Sequence, residues 1–141
     1  YVDNEFNLMG TFVSNTVTFY PLYIYSYYLG RAGQSVSPES YKKNVKQLEK
    51  VCMRIIEEYN ARKDSLSKEK QNYIEKHMVI NLCYTMYWIV TELYKEKNPF
   101  IEFDDKLKKY PEYYNSEKII NKRIIALRKT KGNFMLLNKI K

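Results

Sequence analysis

The sequence predicts a mainly α fold, in which a helical bundle follows a short helix and a pair of strands. Three observations support this prediction: only four Gly and four Pro among 141 residues, apolar residues at helical spacing from residue 45 onward, and a β-branched and aromatic run at residues 16–28. With 45% apolar residues the chain can bury a core, and its length corresponds to one domain, or to one domain and a fragment.

The first 30 residues are predicted to contain one helix and then strands. Apolar residues between positions 3 and 15 are spaced as in a short helix. The next stretch, TVTFYPLYIYSYY (residues 16–28), favours strands, but Pro21 lies in its middle and cannot donate to a strand ladder. We therefore predict two short strands, or one edge strand that is broken at Pro21.

From residue 37 onward the signals are helical. Ser37 is placed to cap a helix with Pro38 at its first position, and apolar residues at three- and four-residue spacing continue to about Arg62. Ser67 is placed to cap a second helix, which we expect to run to about residue 97, where the sequence KNP stops it. Shorter helical segments are predicted at residues 101–110 and 116–130 and, after the interruption at Gly132, at 133–141.

The two cysteines, Cys52 and Cys83, are too few and too far apart in sequence for a disulfide framework or a zinc site. Both lie among apolar residues of predicted helices, so we expect buried, reduced thiols. The most apolar run, residues 78–90, is shorter than the about 20 residues that a membrane-spanning helix needs. The chain is therefore predicted to be soluble.

The net charge of +8 favours polyanionic partners, namely nucleic acid, nucleotide phosphates or an anionic membrane surface. No nucleic-acid-binding motif is present and the basic residues are dispersed, so nucleic-acid binding is not expected. The stretch at residues 118–141 alternates basic and apolar residues. This pattern fits either a helix that lies on an anionic membrane or the solvated basic face of a packed helix.

Two short stretches carry candidate chemistry. Asp3 and Glu5 begin the first predicted helix, but acids at that place also complement the helix dipole, so the pair alone does not indicate catalysis. In GRAGQS (residues 30–35), Arg31 stands between glycines and suits bidentate contact with a phosphate, while Gln34 and Ser35 add donors. A surface loop that joins a strand to a helix is the alternative interpretation of GRAGQS.

An aromatic cluster on the second long helix also admits two interpretations. Its members are Tyr84, Tyr87, Trp88 and Tyr94. Such a cluster can stack on sugar rings, but the helical spacing favours packing in the core.

In combination and order, YVDNEF, the aromatic run and GRAGQS resemble the end of the catalytic domain of bacterial glycosyltransferase family 2 enzymes. The resemblance covers about the first 45 residues. It implies that residues 1–30 are the C-terminal end of a GT-A catalytic domain and that residues 31–141 form a helical C-terminal domain. Val2 departs from the family pattern, since many members carry Glu or Thr at this place.

The resemblance also implies roles for single residues. Asp3 matches the aspartate that is expected to act as general base and deprotonate the acceptor hydroxyl. Arg31, together with Gln34 and Ser35, matches the loop that is expected to steady the donor diphosphate as the sugar departs.

The family's donor-binding half, with its Asp-x-Asp metal site, is expected upstream, because no Asp-x-Asp occurs in this sequence. The resemblance therefore implies the C-terminal part of a transferase for cell-surface polysaccharide biosynthesis, inactive by itself. No cofactor is expected in this chain, and Mg²⁺ or Mn²⁺ only with the upstream half. The expected partners are a nucleotide-sugar donor and a glycan or lipid-linked acceptor. The expected location is the cytoplasm, at the inner face of the membrane if the basic stretch binds there.

A different function class stays open beside the transferase. The residues from Ser37 onward also have the character of a helical module for protein interaction or oligomerisation, including self-association.

Overall fold

The computed structural model describes residues 2–18, 20–26, 28, 34 and 37–137, and most of them are helical. The prediction of a mainly α protein is therefore confirmed. Two π-helical turns, Glu75–Val79 and Ile89–Tyr94, follow α3 and α4, so residues 68–94 form one continuous helical run. The helices are α1 (Val2–Val13), α2 (Pro38–Arg62), α3 (Lys68–Ile74), α4 (Ile80–Trp88), α5 (Lys97–Leu107), α6 (Pro111–Tyr114), α7 (Lys122–Lys129) and α8 (Phe134–Leu137).

The two long helices begin where their capping residues predict. The Ser37 hydroxyl accepts a hydrogen bond from the Ser40 amide at 3.1 Å, and Pro38 occupies the first position of α2. The Ser67 hydroxyl accepts from the Lys70 amide at 3.3 Å at the start of α3. Both caps satisfy amides that have no partner within the helix.

The core lies between α2, the helical run of residues 68–94, α5 and α7. The first helix packs on the same core, because Leu8 of α1 is 1% exposed. Glu5 forms an ion pair with Arg54 of α2 at 3.3 Å, and the Lys70 ammonium donates to the Phe12 carbonyl at 3.1 Å. The division of the chain at residue 30 stays a prediction.

The predicted strands are wrong for the described residues of 16–28, none of which forms a strand. Around Pro21 the Leu22 amide donates to the Tyr20 carbonyl at 2.8 Å, which makes a three-residue turn. A strand needs a neighbour that accepts and donates along its edge, and no other described segment provides one. This stretch therefore has β propensity but no strand partner among the described residues.

The second long helix ends earlier than predicted. Lys95 takes the left-handed conformation (φ 56°) directly after Tyr94, and Pro99 lies inside the first turn of the next helix, α5. Proline is accepted there because the first amides of a helix have no acceptor within it. The sequence KNP thus begins α5 instead of ending the run before it, and α5 ends at Leu107, before Pro111.

The last part of the bundle also differs from its prediction in extent. Helix α7 begins at Lys122 and not near Ser116, because the Asn121 side chain accepts the Ile124 amide at 3.0 Å and caps the helix there. Gly132 interrupts the helix as predicted: its φ is +75°, and a Cβ atom would lie 3.1 Å from the Lys97 side chain. The resumed helix is α8, and residues 138–141 lie outside the described part.

Candidate functional site

The predicted catalytic residue, Asp3, lies in the first turn of α1, and its side chain is exposed. Among the described residues, no hydrogen bond or ion pair to its carboxylate occurs. Glu5, two residues further on, instead holds α1 against α2 through Arg54. Two acids that look equivalent in sequence therefore differ in the structure, because one is open to solvent and the other supports the packing.

In the predicted phosphate-binding loop, only Gln34 is described, while Arg31 and Ser35 lie outside the described residues. Gln34 is buried, and its amide nitrogen donates to the Tyr28 carbonyl. The backbone carbonyl of Gln34 in turn accepts a hydrogen bond from the Ser37 amide at 3.1 Å. Gln34 therefore attaches the end of the aromatic run to the start of α2, and no described hydrogen bond or ion pair joins it to Asp3.

A buried polar cluster connects α4, α5 and α7. The carboxylate of Asp104 accepts hydrogen bonds from the Tyr87 hydroxyl at 2.6 Å and from Arg128 Nε at 2.8 Å. Arg128 also donates to the Tyr87 hydroxyl at 2.8 Å and to the Tyr114 carbonyl at 2.9 Å. Its guanidinium lies 3.5 Å from the centre of the Tyr114 ring, close enough for a cation–π contact.

The electrostatics of this polar cluster fit a structural role. Burial raises the pKa of Tyr87, and the neighbouring Asp104 carboxylate raises it further. Tyr87 and Asp104 are buried and bond to each other and to Arg128, which favours a structural role over contact with a substrate. The sequence-based prediction did not include this cluster, although one signal for it exists: Asp104 shares the apolar face of α5 with Phe100 and Leu107.

The aromatic residues of the predicted cluster differ in burial, and Tyr94 is half-buried and packs against the core. Tyr87 is 1% exposed and packs in the core, as the helical spacing predicted. Tyr84 and Trp88 are 50% and 40% exposed, so core packing is wrong for these two. Both line a groove of about 380 Å³. Glu92 and Asn121 also line this groove.

A second groove, of about 520 Å³, lies between α2 and α5 and is rich in charge. Glu49 is buried there, forms an ion pair with Lys46 of the same helix, and accepts a hydrogen bond from Lys106 of α5. The contact with Lys106 connects the two helices. Lys50 and Lys109 also line this groove and form no ion pair among the described residues.

Cys52 and Cys83 are free and buried, as predicted. Although they are 31 positions apart in sequence, their Sγ atoms lie 3.8 Å apart. The contact with Cys83, together with burial, raises the pKa of the Cys52 thiol. Burial therefore favours the neutral form of the Cys52 thiol.

Two arginines of the basic C-terminal stretch form ion pairs within the protein. Arg123 pairs with Glu92 at 2.9 Å, and Arg128 pairs with Asp104 at 2.8 Å. The remaining cations of the described stretch, Lys118, Lys122, Lys129 and Lys131, are exposed. In the described part of the chain, no helix is long and apolar enough to cross a membrane.

Comparisons with known proteins do not assign a family. A scan against models of protein families, a search of curated proteins and a search of solved structures each found no match. No group of three or more His, Cys, Asp and Glu side chains that is able to hold a metal ion occurs among the described residues.

Proposed function

We propose that this chain is the C-terminal part of a nucleotide-sugar-dependent glycosyltransferase of family 2, which transfers a sugar to a polysaccharide or a lipid-linked acceptor. The observation that carries the proposal is the order of three features: Asp3 at a helix start, the aromatic run, and GRAGQS directly before a capped helix. Each feature is common in proteins, whereas the order within about 45 residues is specific.

The surroundings of Asp3 support its proposed role as general base. A general base must reach the hydroxyl proton that it removes, and an exposed carboxylate that pairs with no cation of the described residues is able to do so. Glu5 is a poor candidate for the same role, because it is engaged with Arg54. Deprotonation by Asp3 prepares the acceptor oxygen to attack the sugar as the nucleoside diphosphate leaves.

The start of α2 supports the proposed diphosphate contact. The N-terminus of this 25-residue helix favours negative charge, and GRAGQS leads directly into it. Since the Gln34 amide bonds to the Tyr28 carbonyl, we assign Gln34 to holding the loop, and Arg31 and Ser35 to the diphosphate itself.

The proposal assigns donor selectivity and the divalent metal to sequence that carries an Asp-x-Asp, a motif that these 141 residues lack. The chain by itself is therefore not expected to catalyse transfer. It also assigns the enzyme to the cytoplasmic side of the membrane, where nucleotide sugars and lipid-linked acceptors meet, with the exposed lysines of residues 118–131 facing anionic lipid.

Binding of a nucleoside diphosphate tests the proposal. We expect UDP, GDP or dTDP to bind the complete protein that the gene encodes, measured by titration calorimetry with Mg²⁺ or Mn²⁺ present. Arg31→Ala should weaken binding about tenfold or more, as expected for the loss of a charge-assisted hydrogen bond. Lys118→Ala, which removes an exposed lysine elsewhere, is the control and should leave the affinity unchanged. Equal affinities of the Arg31 and Lys118 variants contradict the proposed diphosphate contact.

A second candidate function is self-association, which one observation favours. Val17, Tyr23 and Ile24 are between 85% and 92% exposed, and they lie in a segment that forms no strand. Apolar groups this exposed favour burial against a partner. Sedimentation velocity at increasing concentration of the 141-residue chain tests this function. A concentration-dependent dimer that Ile24→Asp abolishes supports it, and a monomer at all concentrations excludes it.

A further inference from the structure

The groove beside Tyr84 and Trp88 has the form of a ligand site. Tyr84, Trp88 and Glu92 recur every four residues and line the groove along one side. Asn121, at the start of α7, and the buried Ile119 and Ile124 also line the groove. The volume of about 380 Å³ lies toward the small end of the range for ligand sites, about 300–1,000 Å³.

The residues of the groove combine two exposed aromatic rings with polar groups. A pyranose ring presents C–H groups on its faces and hydroxyl groups at its rim, so it packs flat on an aromatic ring and forms hydrogen bonds at its edge. The Oδ1 atom of Asn121 caps α7 at 3.0 Å from the Ile124 amide, which leaves the Nδ2 group as a donor. The carboxylate of Glu92 supplies acceptors for sugar hydroxyls.

The Trp88 ring and the Glu92 carboxylate are held in place by neighbours outside the groove. The Tyr41 ring of α2 lies nearly perpendicular to that of Trp88, with 6.3 Å between the ring centres. The guanidinium of Arg123 binds Glu92 at 2.9 Å and donates to the Thr91 carbonyl at 3.1 Å. Such support lowers the entropy lost on binding, because the groups already have defined positions.

The lining of the groove favours neutral over anionic ligands. Its one charged lining residue is the carboxylate of Glu92, and none of the lysines or arginines among the described residues lines it. Arg123 compensates the charge of Glu92 but does not line the groove, so a phosphate or a uronic acid would lose hydration there without gaining an ion pair. A neutral polyhydroxylated ligand has no charge to desolvate.

We propose that the groove between α4 and α7 binds an uncharged glycan, with Tyr84 and Trp88 stacking on its sugar rings and with Glu92 and Asn121 bonding its hydroxyls. The proposal goes beyond transfer, because it concerns binding at a surface of the helical bundle. If the proposed transferase function holds, the groove gives the enzyme a place to hold its glycan acceptor. Glycan binding does not itself depend on a donor or on Asp3.

Trp88 provides a direct readout, because it is the single tryptophan in the sequence. We expect its fluorescence in the 141-residue chain to change saturably with at least one of three neutral probes: cellohexaose, maltohexaose or N-acetylated chitohexaose. An oligogalacturonate of the same length should cause no saturable change, since no cation among the described residues lines the groove to bind its carboxylates. No change with any neutral probe up to about 10 mM overturns the proposal, because a weaker affinity is not specific binding.

Substitutions locate the binding in the groove. Tyr84→Ala should weaken glycan binding about tenfold or more, measured by Trp88 fluorescence. Trp88→Phe, followed by calorimetry, should weaken it less than Trp88→Ala does, because the phenyl ring keeps part of the stacking surface. Tyr73→Ala is the matched control: Tyr73 is a tyrosine on the same helical run, 54% exposed and outside the groove. Equal losses from Tyr73→Ala and Tyr84→Ala overturn the proposal, whatever the transfer assay shows, and circular dichroism confirms that each variant is folded.

Discussion

Two aromatic regions of this molecule differ in what their side chains contact. The aromatic segment, residues 20–26 and 28, is exposed throughout its described length, and Tyr23 is 88% exposed. The aromatic core packs Tyr87 against Phe100 of α5 and against Phe103 at 4.9 Å between ring centres, and Phe103 is fully buried. Both regions are rich in aromatic residues, so composition does not decide which one is buried.

The difference follows from the surface that each region meets. A helix places every third or fourth residue on one face, and α5 presents such a face to α4. The aromatic segment is neither helical nor part of a ladder, so no described surface covers its side chains. Its Tyr23 hydroxyl pairs with Ser26 of the same segment, at 3.0 Å, whereas the Tyr87 hydroxyl connects three helices through Asp104 and Arg128.

The largest expected effect compares one aromatic residue from each region. Phe103→Ala should lower the free energy of unfolding by about 4 kcal/mol, because it removes buried apolar surface and leaves a cavity. Tyr23→Ala should change it by less than about 0.5 kcal/mol, because its ring is already in water. Urea denaturation followed by circular dichroism measures both values. A cost for Tyr23→Ala that approaches that of Phe103→Ala would show that the aromatic segment is covered after all.

The second-largest expected effect concerns the polar cluster around Asp104. Asp104→Ala should destabilise the fold by about 3 kcal/mol, since Arg128 and the Tyr87 hydroxyl then remain in the core without their shared acceptor. Asp105→Ala, at the neighbouring exposed position, is the control and should change stability by no more than about 0.5 kcal/mol. Similar values for the two variants would mean that the polar cluster contributes little to stability.

The third effect is a loss of stability at alkaline pH. Burial and Asp104 raise the pKa of Tyr87 above its ordinary value of 10.0, so the folded protein keeps a proton that the unfolded chain releases. The contribution of Tyr87 to the free energy of unfolding is complete below pH 10. Above pH 10 this contribution falls by about 1.4 kcal/mol per pH unit. Urea midpoints between pH 8 and about 11.5 measure the slope. Tyr87→Phe removes the titrating group and should have a shallower slope, and an unchanged slope would contradict the assignment.

The same two regions explain how much of the fold the sequence predicts. The starts of α2 and α3 were predicted correctly, because the caps at Ser37 and Ser67 are local signals that the structure contains. The strands were wrong because a strand depends on a neighbouring strand, which no local pattern of residues 16–28 specifies. Pro99 was misjudged as the end of a helix because proline is equally acceptable in a first turn.

The candidate sites were predictable to a smaller extent. Asp3 and Gln34 were identified from a motif, but the contact of Gln34 with Tyr28 depends on how the loop folds. The polar cluster around Asp104 joins residues that are between 10 and 41 positions apart in sequence, which no spacing rule reveals. Tyr84 and Trp88 share a helical pattern with buried Tyr87, and only the packing of α7 shows that they line an open groove.

The most direct test of the proposed function is sugar transfer by the complete protein that the gene encodes. With a nucleotide sugar, Mg²⁺ or Mn²⁺ and a glycan or lipid-linked acceptor, Asp3→Asn should lower kcat by about 10²–10⁴-fold and leave donor binding intact, as expected when a general base is removed. Glu5→Gln, which alters the acid that pairs with Arg54, should retain most of the activity. Equal activity of Asp3→Asn and the unmodified protein, or the absence of transfer from any nucleotide sugar, would contradict the account.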